Sequence, residues 1–450
     1  MRSGLTCVLA VPATLLFLAS AQAAEDTAAG GVDVVALATE LERLKQRLAE
    51  LEPLRDQVAR LERELEAAQV RQEELALRTM EEPRELAQTH TEPLSESVVE
   101  DESIDDSIAL GGALRFNFYW NDFDETVESK RGASGLDLFR LNADGQIDQI
   151  LLSAEYRFYP FMDVLHHGWI GYEFDNESVL EVGVTQVPFG LLPYASHNFW
   201  FGTPYYLGLA DDYDLGGKWT YPSGPWELQA AFFKNAEYES PTNLDRYSYD
   251  VVAVGDSQNE ETNQFNLRGS YTFGAGTACN HEAGLSGQYG HLYNFDTGRT
   301  GDTWAAAAHL DSRCGRWNVQ LEAARYSYAP ENPPGVPDDQ IRLGGFGTSY
   351  DVAADGTALV ANLAYNFPVK NEFIDLVTCY NDFSIVLKDE AGSDDSLLNT
   401  TGCLVGFGPV YVYLDLIQAE NMVFFGDGSL AGDGEEGWFR RFNINIGYYW

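Results

Sequence analysis

Past residue 19 the chain has no long apolar run. That excludes a helical membrane protein, whose spans need about 20 consecutive apolar residues. Basic residues are scarce as well: 28 Lys and Arg stand against 70 Asp and Glu, a formal net charge of -42. A balance so acidic excludes nucleic acid as a partner. The 450 residues include only seven His and five Cys, without a CxxC or His-rich spacing, so no zinc-type site is expected. Enzyme signatures are missing too. Gly284-Leu285-Ser286-Gly287 lacks the spacing of a nucleophile elbow. His281-Glu282 is not followed by the second His of a zinc motif. His166 and His167 are adjacent, so on a strand their rings are expected on opposite faces. The acidic, glycine-rich run Asp427 to Gly434 misses the EF-hand spacing. The expectation is no enzyme, no cofactor and no metal.

What is present begins with an export signal. Arg2, an apolar run from Leu5 to Ala19 and Ala21-Gln22-Ala23 form a charged start, an apolar stretch and a small-residue cleavage site. Residues 1–23 are therefore expected to be removed. At the other end, Phe442, Ile444, Ile446, Tyr448 and Trp450 fall on one face of an alternating segment, and Arg441, Asn443, Asn445 and Gly447 on the other. Apolar outside, polar inside and an aromatic at the edge is the pattern of a membrane β-strand.

Between these ends the chain divides in three. Over 33–79, Leu37, Leu41, Leu44, Leu48 and Leu51 step by four and three, and Leu54, Val58, Leu61, Leu65 and Ala68 resume after Pro53. Glu, Arg and Gln fill the flanks, so this α-helical segment is expected to self-associate as a coiled coil. Residues 80–107, rich in Glu, Pro, Ser and Thr, read as a flexible acidic linker. Residues 108–450 split into about sixteen alternating segments, among them ones starting near Leu136, Asn263, Phe373 and Thr400. Short turns are expected at Asp148, Asn176, Ser223, Gly274, Asp311, Pro368 and Gly408. Long loops at 121–135, 188–211, 235–262, 292–302, 328–354, 387–397 and 419–437 alternate with them, and a short one falls near Phe161 to His166. That rhythm implies an all-β transmembrane antiparallel β-barrel in the bacterial outer membrane, its N-terminal segment in the periplasm.

The alternation assigns faces. Leu110, Leu114, Phe116 and Phe118 point to lipid. Arg115, Arg140, Glu155, Arg157, Asp214, Lys218, Glu227, Arg268, Glu322 and Arg441 point inward as candidate pore-lining residues, because a charge on the lipid face costs about 2–4 kcal/mol at the midplane. Inward charges of both signs suggest a field across a wet channel. Four cysteines survive signal removal, and three pairings are possible. Cys379 and Cys403 flank one turn at matching distances, and Cys279 and Cys314 fall in neighbouring short turns, which favours those two disulfides.

Val182-Gly183-Val184-Thr185-Gln186-Val187-Pro188-Phe189-Gly190, Asp214-Leu215-Gly216-Gly217-Lys218-Trp219 and the run from Trp226 to Asn235 give the barrel a resemblance to the phosphate-selective porin O/P family. Gln186 stands where that family usually carries a basic residue. The resemblance implies a sixteen-stranded homotrimer whose third external loop folds inward. Here that loop is 188–211, with Phe189, Tyr194, Phe199, Trp200 and Phe201 as constriction candidates. It also implies passive diffusion of small hydrophilic solutes or ions, phosphate included. A coiled coil ahead of a barrel is similar to certain carbohydrate porins, and a structural anchor reaching toward peptidoglycan is the alternative. Outer-membrane lipid and lipopolysaccharide are the expected surroundings.

Overall fold

The computed structural model describes residues 107–450, apart from 275–277, 390–392, 433, 435 and 436. The expected signal peptide, coiled coil and nearly all of the linker lie outside the described residues.

Nineteen strands, one short α-helix and one 3-10 turn, Tyr205–Leu207, are described. In chain order they are β1 (Ser107–Asn121), α1 (Glu125–Lys130), β2 (Ala133–Ile147), β3 (Ile150–Phe158), β4 (Asp163–Glu173), β5 (Val179–Gln186), β6 (Tyr213–Ser223) and β7 (Trp226–Ala236). Next come β8 (Asp250–Val251), β9 (Asn259–Phe273), β10 (Cys279–Asn294), β11 (Thr300–Cys314), β12 (Trp317–Ala329), β13 (Gln340–Gly345), β14 (Thr348–Ala353) and β15 (Asp355–Asn366). The last four are β16 (Leu376–Lys388), β17 (Ser396–Phe407), β18 (Val410–Glu420) and β19 (Trp438–Tyr449).

All strands except β8, β13 and β14 close into one antiparallel barrel of sixteen, sealed where β1 pairs with β19. Closure leaves no open edge, which a sheet in hydrocarbon requires. No helix among the described residues is long and apolar enough to cross a membrane. The outer face is apolar where a water-soluble protein would be polar: Leu110 is 79% exposed, Leu285 69% and Leu267 68%. Aromatic pairs ring the short-turn rim, with Trp226 against Tyr271 at 4.7 Å and Trp317 against Tyr365 at 4.6 Å. Amphipathic rings at that level are the mark of a bilayer interface.

The short turns include Asp148–Gln149 and Gly408–Pro409, as the alternation implies. The turn expected at Asp311 is instead Gly315–Arg316. The polar run Asp311-Ser312-Arg313 continues β11, and Gly315, at φ +61°, supplies the left-handed turn. Phe373, expected to open a strand, lies in the connection before β16 and is 78% exposed. Several strands start three to five residues earlier than their apolar alternation indicates: Asn259 rather than Asn263, and Ser396 rather than Thr400. Their long-loop ends rise past the apolar band, where Asn259-Glu260-Glu261-Thr262 has no apolar residue to mark a face.

Both cysteine pairs face each other in register, Cys279 with Cys314 and Cys379 with Cys403, and both are bonded. The three strands outside the barrel, in the order β14-β13-β8, form a small sheet among the long loops. Its Val251, Ile341, Leu343 and Val352 pack with Tyr205, Tyr206, Leu207 and Leu209 of the 187–212 connection in one buried apolar cluster.

Candidate functional site

The 187–212 connection enters the barrel and is fastened to one side of its inner wall. Alternation turns every second side chain inward, and polar ones on β9, β10, β12, β15 and β16 hold the loop backbone. Ser286 accepts from the Gly190 amide at 2.9 Å, and Glu322 from the Leu191 amide at 2.7 Å. Arg268 Nε donates to the Gly190 carbonyl at 2.9 Å, and Asn362 to the Ala195 carbonyl at 2.9 Å. Ser384 accepts from the Thr203 amide, and Tyr328 donates to the Leu207 carbonyl. Gly190 sits at φ +64°, and a Cβ there would meet Glu322 Oε2 at 2.5 Å, so glycine is required.

Asp382 of β16 is the densest of these ties. Its carboxylate accepts from the His197 amide at 2.6 Å, His197 Nδ1 at 2.7 Å, Asn198 Nδ2 at 2.8 Å and Ser196 Oγ at 3.3 Å. His197 Nε2 faces Asn318 Oδ1 at 2.7 Å, and Asn318 turns its amide to Asp311. Both ring nitrogens therefore face acceptors, the environment of an imidazolium. Burial opposes that charge, but the hydrogen bond and charge of Asp382 outweigh it and hold the His197 base above its usual 6.5.

The opposite wall is basic. Arg441, Arg115, Arg140 and Arg157 come from β19, β1, β2 and β3, four neighbours in the barrel. Each guanidinium lies over an aromatic ring. Arg115 covers Phe199 at 4.5 Å and Arg441 covers Trp200 at 4.7 Å, so the loop aromatics meet the arginines across the lumen. Arg157 lies over Tyr247 and Arg140 over Tyr449. Carboxylates offset part of the charge: Asp137 lies 3.0 Å from Arg115, and Glu155 lies 3.3 Å from Arg140 and 2.5 Å from Arg157. Arg441 has no carboxylate at ion-pair distance among the described residues, and Arg140 Nε is enclosed without an acceptor. Lys218 on β6 pairs with Glu181 at 3.1 Å.

The candidates named from sequence thus separate. Arg115, Arg140, Arg157, Glu155 and Arg441 form the basic wall. Arg268 and Glu322 lie behind the loop and hold it, with Glu227 3.2 Å from Arg268 Nη1. Asp214 is buried among other carboxylates. Phe199 and Trp200 face the arginines, whereas Phe189 is buried and Phe201 packs on Tyr205 and Tyr194. His166 and His167 do not take opposite faces. A bulge opposite Glu155 and Tyr156 turns both rings inward, their Nδ1 atoms 2.8 Å apart. Asp382, His197, Asn362 and Ser384 were missed. Inward parity on β15 and β16 was the only signal for Asp382, Asn362 and Ser384, and nothing in it tells which polar residue receives a loop; His197, in the loop, had none.

No family model matches the chain, and no curated protein does either. Among solved structures, the outer membrane channel DcaP of Acinetobacter baumannii is similar at TM-score 0.51 and 10% identity, covering 76% of this chain and 97% of that one. The trimer form of OmpT, an outer membrane protein of Vibrio cholerae, is similar at 0.50 and 13%, covering 76% and 99%. An anion-selective porin from Comamonas acidovorans aligns at 0.46 and 11%, covering 77% and 100%. The chain has the fold of outer-membrane porins and channels: a closed sixteen-stranded barrel.

Proposed function

We propose that this protein is a passive outer-membrane pore for small hydrophilic anions, phosphate among them. The observation that carries the reading is the lopsided lumen: a loop stitched to one wall, facing four arginines on the other. A solute passing beside these stacked pairs meets guanidinium groups and aromatic faces that shed water. Arginine suits this task because its planar fork matches carboxylate and phosphate oxygens. The acidity of the whole chain does not oppose it, since charge near the constriction acts at short range and distant surface charge is screened.

In this reading the long loops face outward and residues 33–79 lie in the periplasm, where a coiled coil would reinforce a trimer of barrels. Planar-bilayer recording of the purified protein tests it. Stepwise currents with an anion-selective reversal potential are expected, and phosphate should block chloride current. Arg441→Glu should move the reversal potential toward cation selectivity. A cation-selective wild type overturns the anion assignment, and a folded but silent trimer favours the anchor.

A further inference from the structure

Above the constriction, on the long-loop side, a second group of charges has no part in the pore. Asp212 ends the inward loop, Asp214 is the second residue of β6 and Asp250 belongs to β8 of the outer sheet. Their exposures are 6%, 2% and 1%, and a carboxylate oxygen of each lies within 4.8 Å of those of the other two. Protein donors satisfy them only in part: Ser248 and the Tyr213 amide serve Asp212 through one oxygen. Arg246 Nη1 serves Asp250 Oδ2 at 3.1 Å, and Gln264 reaches Asp214 Oδ2 at 3.4 Å. Asp212 Oδ1 and Asp214 Oδ1 are enclosed and have no hydrogen-bond partner. Glu237, 3.7 Å from Arg246, leaves both its oxygens without hydrogen bonds, and Glu261 stands close enough to act on Asp212 by its charge.

One arginine thus faces a crowd of carboxylates. Burying carboxylates without compensation is costly, and like charges a few ångströms apart add repulsion. The donors are all hard oxygens, with no Sγ or imidazole among them, which selects calcium or magnesium over zinc or copper. A mutual span up to 4.8 Å is twice a calcium–oxygen distance, which is about 2.4 Å, and calcium tolerates the irregular geometry that magnesium does not.

We propose that Asp212, Asp214 and Asp250 bind one calcium ion that ties the inward loop, β6 and the outer sheet into a single unit. The ion joins segments far apart in sequence. It therefore stiffens the mouth of the barrel from above, as Asp382 fastens the loop from the side. The site is independent of what the pore conducts.

The test uses the full chain, folded in detergent, stripped with a chelator and held in excess magnesium to occupy weak surface carboxylates. Terbium luminescence, excited through nearby tyrosines such as Tyr328, is titrated and then competed with calcium. The same protein is heated with and without calcium, and unfolding is followed by the mobility shift of the barrel on electrophoresis. The comparison variant is Asp212→Asn/Asp214→Asn, which spares the Asp250–Arg246 pair, with single Asp214→Asn in reserve should the double variant not fold. The expected result is one more competed ion per chain in wild type than in the variant, and a calcium-dependent rise in unfolding temperature that the variant loses. Without calcium the variant should unfold at or above the wild-type temperature, because removing like charges relieves repulsion. Equal ion uptake by wild type and variant overturns the proposal. So does a wild-type unfolding temperature indifferent to calcium, which would mean that protons neutralise the cluster.

Discussion

Replacing Asp382 by Ala should free the segment that narrows the lumen. The side chain is 5% exposed and takes hydrogen bonds from the His197 amide and ring, Asn198 and Ser196. Its removal leaves a buried imidazolium and a side-chain amide unpaired. Breaking a buried charged network from one side costs about 3–5 kcal/mol. At about 1.4 kcal/mol per tenfold, the docked-to-released ratio of this segment falls by about two to three and a half powers of ten. The ties at Gly190, Leu191 and Thr203 remain, so the effect should be confined to the stretch carrying Phe199 and Trp200. Single-channel recording should give a larger conductance and a noisier open level, with the barrel still heat-resistant on electrophoresis. Asp382→Asn, which keeps an acceptor, should fall between. An Asp382→Ala channel with wild-type conductance and noise would refute the claim that this carboxylate sets the width.

Other outcomes follow from the same geometry. Because the His197 base is held above 6.5, its contribution to docking is complete below that value and is lost as the pH climbs through the raised one; conductance should therefore rise as the pH is taken upward from 6.5, and His197→Gln should flatten the dependence. Gly190→Ala forces a side chain into a left-handed backbone and against Glu322; a cost of about 1–3 kcal/mol should appear as loop noise in recordings. Reducing both disulfides, which close 35- and 24-residue separations, should destabilise the barrel by about 3–4 kcal/mol each, read as a lower unfolding temperature.

Much of this architecture was legible because lipid imposes a strict rule. Phe442, Tyr448 and Trp450 alternate with Arg441, Asn443 and Asn445, the order that a strand between lipid and a wet lumen needs. The rule ends where lipid ends. Above the apolar band, Asn259 to Thr262 are strand without alternation, and the outer sheet of β8, β13 and β14 is buried by tertiary packing that leaves no periodic trace. The inward loop could be named from the Val187-Pro188-Phe189-Gly190 run, but not its anchors. Contacts such as Asp382 with His197 join residues 185 apart, and a parity argument sees each strand alone. The paired histidines defeated it outright, because one bulge reverses the count.

Each disulfide lies at the short-turn rim, opposite the loop that joins its own pair of strands. Hairpins β10–β11 and β16–β17 are thus fastened at both ends, one by chain and one by sulfur. A strand that slides by one residue exchanges its oily and watery sides along its whole length. These two hairpins cannot slide once oxidised, so a quarter of the cylinder's staves reach assembly with their alignment already settled.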